Sequence, residues 1–154
     1  MTDEEMQEMM RKGKVLQEIG HYAEALFYYR HAASLGNSDA MMELGWMRLA
    51  GQGLFPDEGK AFKWFRKAAN AGNVSGMIAV AVAYRFGYGI SPDCERVVHW
   101  YRKAAEAGNG DIVVDFCRAV TVRAVFCFPE DGNCQLVDEG LDLRRMICAV
   151  LPIL

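Results

Sequence analysis

KAFKWFRKAANAGN, residues 60–73, is answered 36 residues later by RVVHWYRKAAEAGN, residues 96–109. The agreement runs beyond these two stretches. At the same offset Gly51 falls on Gly87, Gly53 on Gly89, Pro56 on Pro92 and Asp57 on Asp93. Trp64 meets Trp100, Lys67 meets Lys103, and Ala68 and Ala69 meet Ala104 and Ala105. In the other direction Tyr28, Arg30, Ala32, Ala33, Gly36 and Asn37 keep the register. A single catalytic site needs no such echo. A fixed period of this length marks stacked structural units, because one helical hairpin cannot bury its own apolar face.

Each unit reads as two helices. Ser38–Ala50 is rich in helix formers, with Ser38 or Asp39 as the expected cap. Gly51–Pro56 interrupts it, since glycine permits left-handed dihedrals and proline cannot continue a helix. Asp57 opens the second helix, whose acids come early and whose bases come late, matching the helix dipole. Ala61, Trp64, Phe65, Ala68 and Ala69 recur at three- and four-residue spacing and form one apolar face. Gly72 is the expected left-handed residue at its end. The Gly-x-Gly pairs follow helices and repeat with the period, so they read as turns and not as a phosphate loop.

Composition narrows the function classes. The chain has 154 residues, 52% of them hydrophobic and 24% charged, as in a soluble globular protein. Its formal charge is −3, which argues against nucleic acid as a partner. The N-terminal MTDEEMQEMMRKGK lacks the basic and apolar regions of a secretory signal. No stretch approaches the roughly 18–20 apolar residues of a membrane span, so a cytoplasmic protein without membrane insertion is expected. Five cysteines, no CxxC pair and three histidines make a metal site unexpected. Cys127 and Cys134 flank FPEDGN, and a disulfide closing that loop fits an oxidising compartment. Thiols in a reducing cytoplasm are the preferred reading. His21, His31 and His99 have no nucleophile and acid arranged beside them, and read as surface residues. No cofactor is called for and no enzyme is expected.

The stretch ELGWMRLAGQGLFPDEGKAFKWFRKAANAGN, residues 43–73, resembles the Sel-one-like repeat family, a relative of tetratricopeptide repeats. Leu44, Gly45, Gly51, Gly53, Asp57, Lys60, Ala61, Trp64, Lys67, Ala68, Ala69 and Gly72 carry the resemblance. In the next unit Tyr84, Gly87, Gly89, Asp93, Trp100, Lys103, Ala104, Ala105 and Gly108 do so. The first unit has a shorter loop, EIGHYAEA, and resembles an ordinary tetratricopeptide repeat. Arg48 stands where the pattern has an aromatic, and Ala81 where it has glycine. After Asn109 the pattern fades. Asp111–Val125 reads as a first helix of a fourth unit, FCFPEDGNC as a turn, and Gln135–Val150 as a last helix.

The resemblance implies an all-α fold, a right-handed α-solenoid of about three and a half to four helix-turn-helix repeats. Its units span about 4–37, 38–73 and 74–109, with a degenerate capping unit at 110–154, all in one domain. It also implies a non-enzymatic adaptor or scaffold that binds a protein or peptide in a groove lined by the first helix of each unit. The repeat frame puts Met10, Lys14, Asp39, Met42, Trp46 and Leu49 there, then Ile78, Val82, Arg85 and Phe86, and finally Val114 and Arg118. Trp46 is the anchor, since tryptophan is favoured at binding hot spots. Lys14, Arg85 and Arg118 would hold acidic groups. An immunity protein that neutralises a secreted toxin is the narrower alternative. A cell-wall hydrolase is the alternative of another class, and the absent acid/base pair speaks against it. A homo-oligomer through the C-terminal segment is a further partner reading.

Overall fold

The helix boundaries follow from the residues that serve their ends. In the computed structural model, residues 2–108 and the strands 125–127 and 134–136 are described. Three helix pairs come first: α1 (Asp3–Glu18) with α2 (Tyr22–Ser34), α3 (Ser38–Ala50) with α4 (Glu58–Asn70), and α5 (Val74–Phe86) with α6 (Cys94–Ala107). The starts of α3 and α5, and those of α4 and α6, lie 36 residues apart, so the fold is the all-α solenoid expected from the repeat. The chain divides into two compact units, Met1–Gly76 and Met77–Leu154.

The recurring Gly-Asn has a clear task. After α4, Gly72 takes φ 89°. Its N–H donates to the Ala69 carbonyl at 3.1 Å, and the Asn73 N–H donates to Ala68 at 3.1 Å. This is a Schellman ending, which supplies donors to carbonyls that the helix leaves open. Gly36 and Asn37 do the same for Ala33 and Ala32 after α2. Each asparagine then caps the next helix. Asn37 Oδ1 accepts from Ala40 N at 2.8 Å, so Asn37, and not Ser38 or Asp39, caps α3. Asn73 Oδ1 accepts from Gly76 N at 2.9 Å, and Asn73 Nδ2 donates to Asp39 Oδ1 at 2.8 Å and Ser38 Oγ at 3.2 Å. The Asn73 backbone thus helps close α4, while its side chain caps the first turn of α5 and donates to the start of α3. Gly108, by contrast, is extended at φ −93°, ψ 159°.

The second helices begin alike. Asp57 accepts from Lys60 N at 2.8 Å and Asp93 from Arg96 N at 3.1 Å. The Asp57 N–H donates to Arg48 O, and Asp93 N–H to Tyr84 O. Because this turn uses the backbone carbonyl, it forms with Arg48 as well as with the tyrosine at the matching place.

In the first unit, Ala25, Leu26, Tyr29, Ala32 and Ala33 of α2 pack with Ala40, Leu44 and Met47 of α3, flanked by Met10, Leu16, Leu54 and Trp64. Burying a large side chain of this kind stabilises by about 1.5–3 kcal/mol. Glycine lets rings come close: a Cβ on Gly13 would stand 2.8 Å from Tyr29, and one on Gly45 2.4 Å from Phe65. In the second unit Met77, Val80, Ala81, Ala83, Tyr84, Val97, Trp100, Tyr101 and Ala104 are buried.

Strands β1 (Val125–Cys127) and β2 (Cys134–Leu136) form an antiparallel hairpin with Cys127 opposite Cys134. Val125 and Gln135–Leu136 are therefore strand where helix was expected. β-branched Val125 suits a pleated strand, and a helix cannot include a residue committed to a cross-strand ladder. The rest of the expected helices over 111–125 and 135–150, and the turn at 128–133, lie outside the described residues.

Candidate functional site

Helix α3 is apolar on nearly every side, so its burial is decided by its neighbours. Ala40, Met42, Leu44, Gly45 and Met47 are buried. Trp46 is not: it is 48% exposed, and its indole meets the Phe65 ring at 4.9 Å and 61°. An edge contact of this kind holds the ring while leaving much of it open. Asp39, Glu43 and Trp46 sit at i, i+4 and i+7, which places them along one helical stripe.

The expected site residues fall as follows. Met10 is partly buried against the first unit's core, Lys14 and Asp39 are exposed, and Leu49 is half-buried. Met42 is only 7% exposed, so it has almost no surface to offer a partner. In the second unit Ile78, Val82 and Arg85 are half-buried, while Phe86 is 56% exposed. The Arg85 guanidinium lies 5.0 Å from the Phe86 ring centre, and Tyr88 tilts against the same ring at 5.7 Å. Val114 and Arg118 lie outside the described residues.

Glu43 belongs to the stripe and was not singled out from the sequence. Its spacing from Asp39 and Trp46 was the available signal. Burial raises its pKa; Lys14 opposes the shift and Asp39 adds to it. Lys14 therefore does not face an acidic partner alone, because a half-buried carboxylate already shares its field. Beneath lies a polar chain: Tyr29 Oη donates to Gln17 Oε1 at 2.9 Å, and Gln17 Nε2 donates to Gln52 Oε1 at 2.8 Å. The Tyr29 phenol is pushed up to about 12 by burial, with Glu43 and Glu18 adding to the shift.

The histidines are exposed. His21 Nδ1 is 3.1 Å from Glu24 Oε1, and His99 meets Trp100 edge-on at 5.7 Å. Among the described residues there is no group of three His, Cys, Asp or Glu side chains that could hold a metal ion. No helix among them is long and apolar enough to cross a membrane. The first unit's face thus presents an aromatic surface beside fixed charges of both signs. Such an arrangement holds a partner through burial and ion pairing.

The model of the Sel1 repeat matches this chain three times in succession, at residues 20–37, 38–73 and 74–109. The first match begins at Gly20 and omits α1. Among solved structures, a Sel1 repeat protein from Oxalobacter formigenes is similar, with 28% identity and a TM-score of 0.64. The match covers 74% of this chain and 88% of that one. A protective antigen of uropathogenic Escherichia coli strains, with an SLR fold, has 23% identity and a TM-score of 0.67. It is matched over 79% of this chain, which spans only 27% of the antigen's length. Cysteine rich protein B of Helicobacter pylori has 15% identity and a TM-score of 0.57, covering 75% of this chain and 97% of that one. The last two likenesses concern the fold alone. No curated protein matches the chain. With three consecutive repeats covering more than half of its length, the chain belongs to the Sel1 repeat family.

Proposed function

We propose that the chain is a non-enzymatic interaction module that binds a protein or peptide on the faces of its first helices. Repeats of this family generally mediate protein interactions, which supports the class of function. The observation that carries the reading for this chain is the half-exposed Trp46, held edge-on by Phe65 and flanked on its stripe by Glu43 and Asp39. Aromatic anchors that keep one ring face open contribute most where they become fully desolvated on binding. In the second unit the anchor is Phe86, one turn beyond Val82, which holds the place of Trp46 in the repeat. The partner best suited to the first unit's face offers an apolar side chain beside a cationic group, since two carboxylates stand against the one ammonium of Lys14.

The test is affinity capture from the native cell lysate by the wild-type chain and by Trp46→Ala plus Phe86→Ala. A partner kept by wild type and lost by the folded double variant supports the reading. Equal capture by both refutes the two anchors. The identity of the captured partner then separates an adaptor from an immunity protein.

A further inference from the structure

A second surface of the first unit lies away from the stripe on α3. The loop at 51–56 packs against the first turns of α2. Gly53, at φ 68°, sits so close that a Cβ there would stand 2.8 Å from Tyr22 Cβ and 3.2 Å from Leu26. Between loop and helix is an open cleft of about 570 Å³. Its apolar lining includes Leu26, Phe27 and Leu54, its rim carries Arg30 and His31, and no acidic side chain lines it. Leu54 is anchored in the unit's core, while Phe27 is 66% exposed. Among the described residues neither Arg30 nor His31 forms an ion pair.

The repeat shows what is particular about this cleft. The place of Phe27 is taken by Lys63 in the second repeat and His99 in the third, both exposed and polar. The place of His31 is taken by Lys67 and Lys103. Their ammonium groups lie over the Trp64 and Trp100 rings at 4.4 and 5.1 Å. In those helices the cation covers an aromatic of its own helix. In α2 the Phe27 ring, edge-on to Tyr28 at 5.7 Å and tilted against His31 at 6.5 Å, still stands largely exposed, and Arg30 and His31 border the cleft. A lone exposed aromatic would need no explanation, but here Phe27 shares one cleft with Leu54 beneath a basic rim, and apolar surface gathered inside a polar border is what a docking site offers.

We propose that this cleft docks an acidic, apolar peptide segment. A large aliphatic or aromatic side chain enters against Phe27 and Leu54. A neighbouring carboxylate pairs with the Arg30 guanidinium, whose planar fork suits it, and accepts a hydrogen bond from His31. The charge of the rim decides the sign of the partner, and the open volume has room for a short stretch of two or three side chains, being within the roughly 300–1,000 Å³ of pockets that take drug-sized ligands. The site is independent of the one on α3.

The probe is acetyl-Gly-Glu-Leu-Phe-Glu-Gly-amide, titrated into the ¹⁵N-labelled full chain and followed by amide chemical shifts. Its neutral glutamine analogue and its lysine analogue serve as charge controls. Saturable shifts are expected at residues 23–31 and 53–54, with weaker binding by the glutamine peptide and none by the lysine peptide. Phe27→Ala should weaken binding by about tenfold, the equivalent of ~1.4 kcal/mol. Arg30→Glu should reverse the preference towards the lysine peptide. Both side chains are exposed, so melting by circular dichroism should be near wild type. Should Arg30→Glu fail to fold, the three peptides on wild type still decide the matter. No saturable shift at the cleft, equal binding of the glutamate and lysine peptides, or an unchanged preference in folded Arg30→Glu would each overturn the proposal.

Discussion

Replacing Asn73 by alanine removes more than replacing Asn37, although the two occupy the same place in the repeat. Both lose the cap bond, to Gly76 N in one case and Ala40 N in the other. Loss of an asparagine cap costs about 1 kcal/mol. Asn73 alone also gives up two donor bonds, to Asp39 Oδ1 at 2.8 Å and to Ser38 Oγ at 3.2 Å. These bonds are partly solvated, so together they contribute about 1 kcal/mol. The expected costs are therefore about 2 kcal/mol for Asn73→Ala and about 1 kcal/mol for Asn37→Ala. With a urea m-value of about 2 kcal/mol/M, the two midpoints should differ by about 0.5 M. Asn73→Ser keeps an acceptor for Gly76 N and loses the amide donors, so it should fall near Asn37→Ala. Urea unfolding followed by far-ultraviolet circular dichroism, with a common m-value, measures all three. Equal midpoints for Asn73→Ala and Asn37→Ala would show that the bonds across to α3 contribute nothing.

Two further perturbations test the core. Gly45→Ala places a Cβ 2.4 Å from a buried Phe65 ring whose other neighbours include Trp46. The helix-propensity gain of about 1 kcal/mol should be outweighed by an overpacking cost of about 1–3 kcal/mol. A net loss of about 1 kcal/mol is expected. In a Phe65→Leu background the same change should become neutral or stabilising, and a double-mutant cycle with no coupling would refute the close approach. Tyr29 gives a test in alkali. Its folded pKa of about 12 lies above the ordinary phenol value of 10.0, so the folded state keeps a proton that the unfolded state releases. Stability should therefore fall as the pH rises from 10 towards 12, and less so in Tyr29→Phe. Identical pH slopes for the two proteins would remove burial as the cause.

Much of the architecture was legible because its signals are local. The Gly-x-Gly pair before a proline, the aspartate that opens the second helix and the alanines at helical spacing each act within a turn or two of the chain. The repeat multiplies them, so chance agreement is excluded. The candidate site was less legible. Nothing within the MMELGWMRLA segment tells Met42, which is buried, from Trp46, which is half-exposed, because α3 is apolar around most of its circumference. Glu43 was hidden for a related reason: only the packed helices half-bury it and bring it near Lys14, and that burial raises its pKa.

The sequence by itself determined the family, the 36-residue period, the helix pairs and the turns between them. Each rests on backbone preferences and on residues a few positions apart. Only the tertiary structure decided what Asn73 does for α3, which ring Gly45 admits, and which apolar side chains remain in contact with water. Those outcomes depend on residues brought together from distant parts of the chain. Asn73 meets Asp39 across 34 positions, and Gln17 meets Gln52 across 35. Hydrogen bonds, van der Waals contact and exclusion of water act at a few ångströms, and that proximity exists only once the helices have packed.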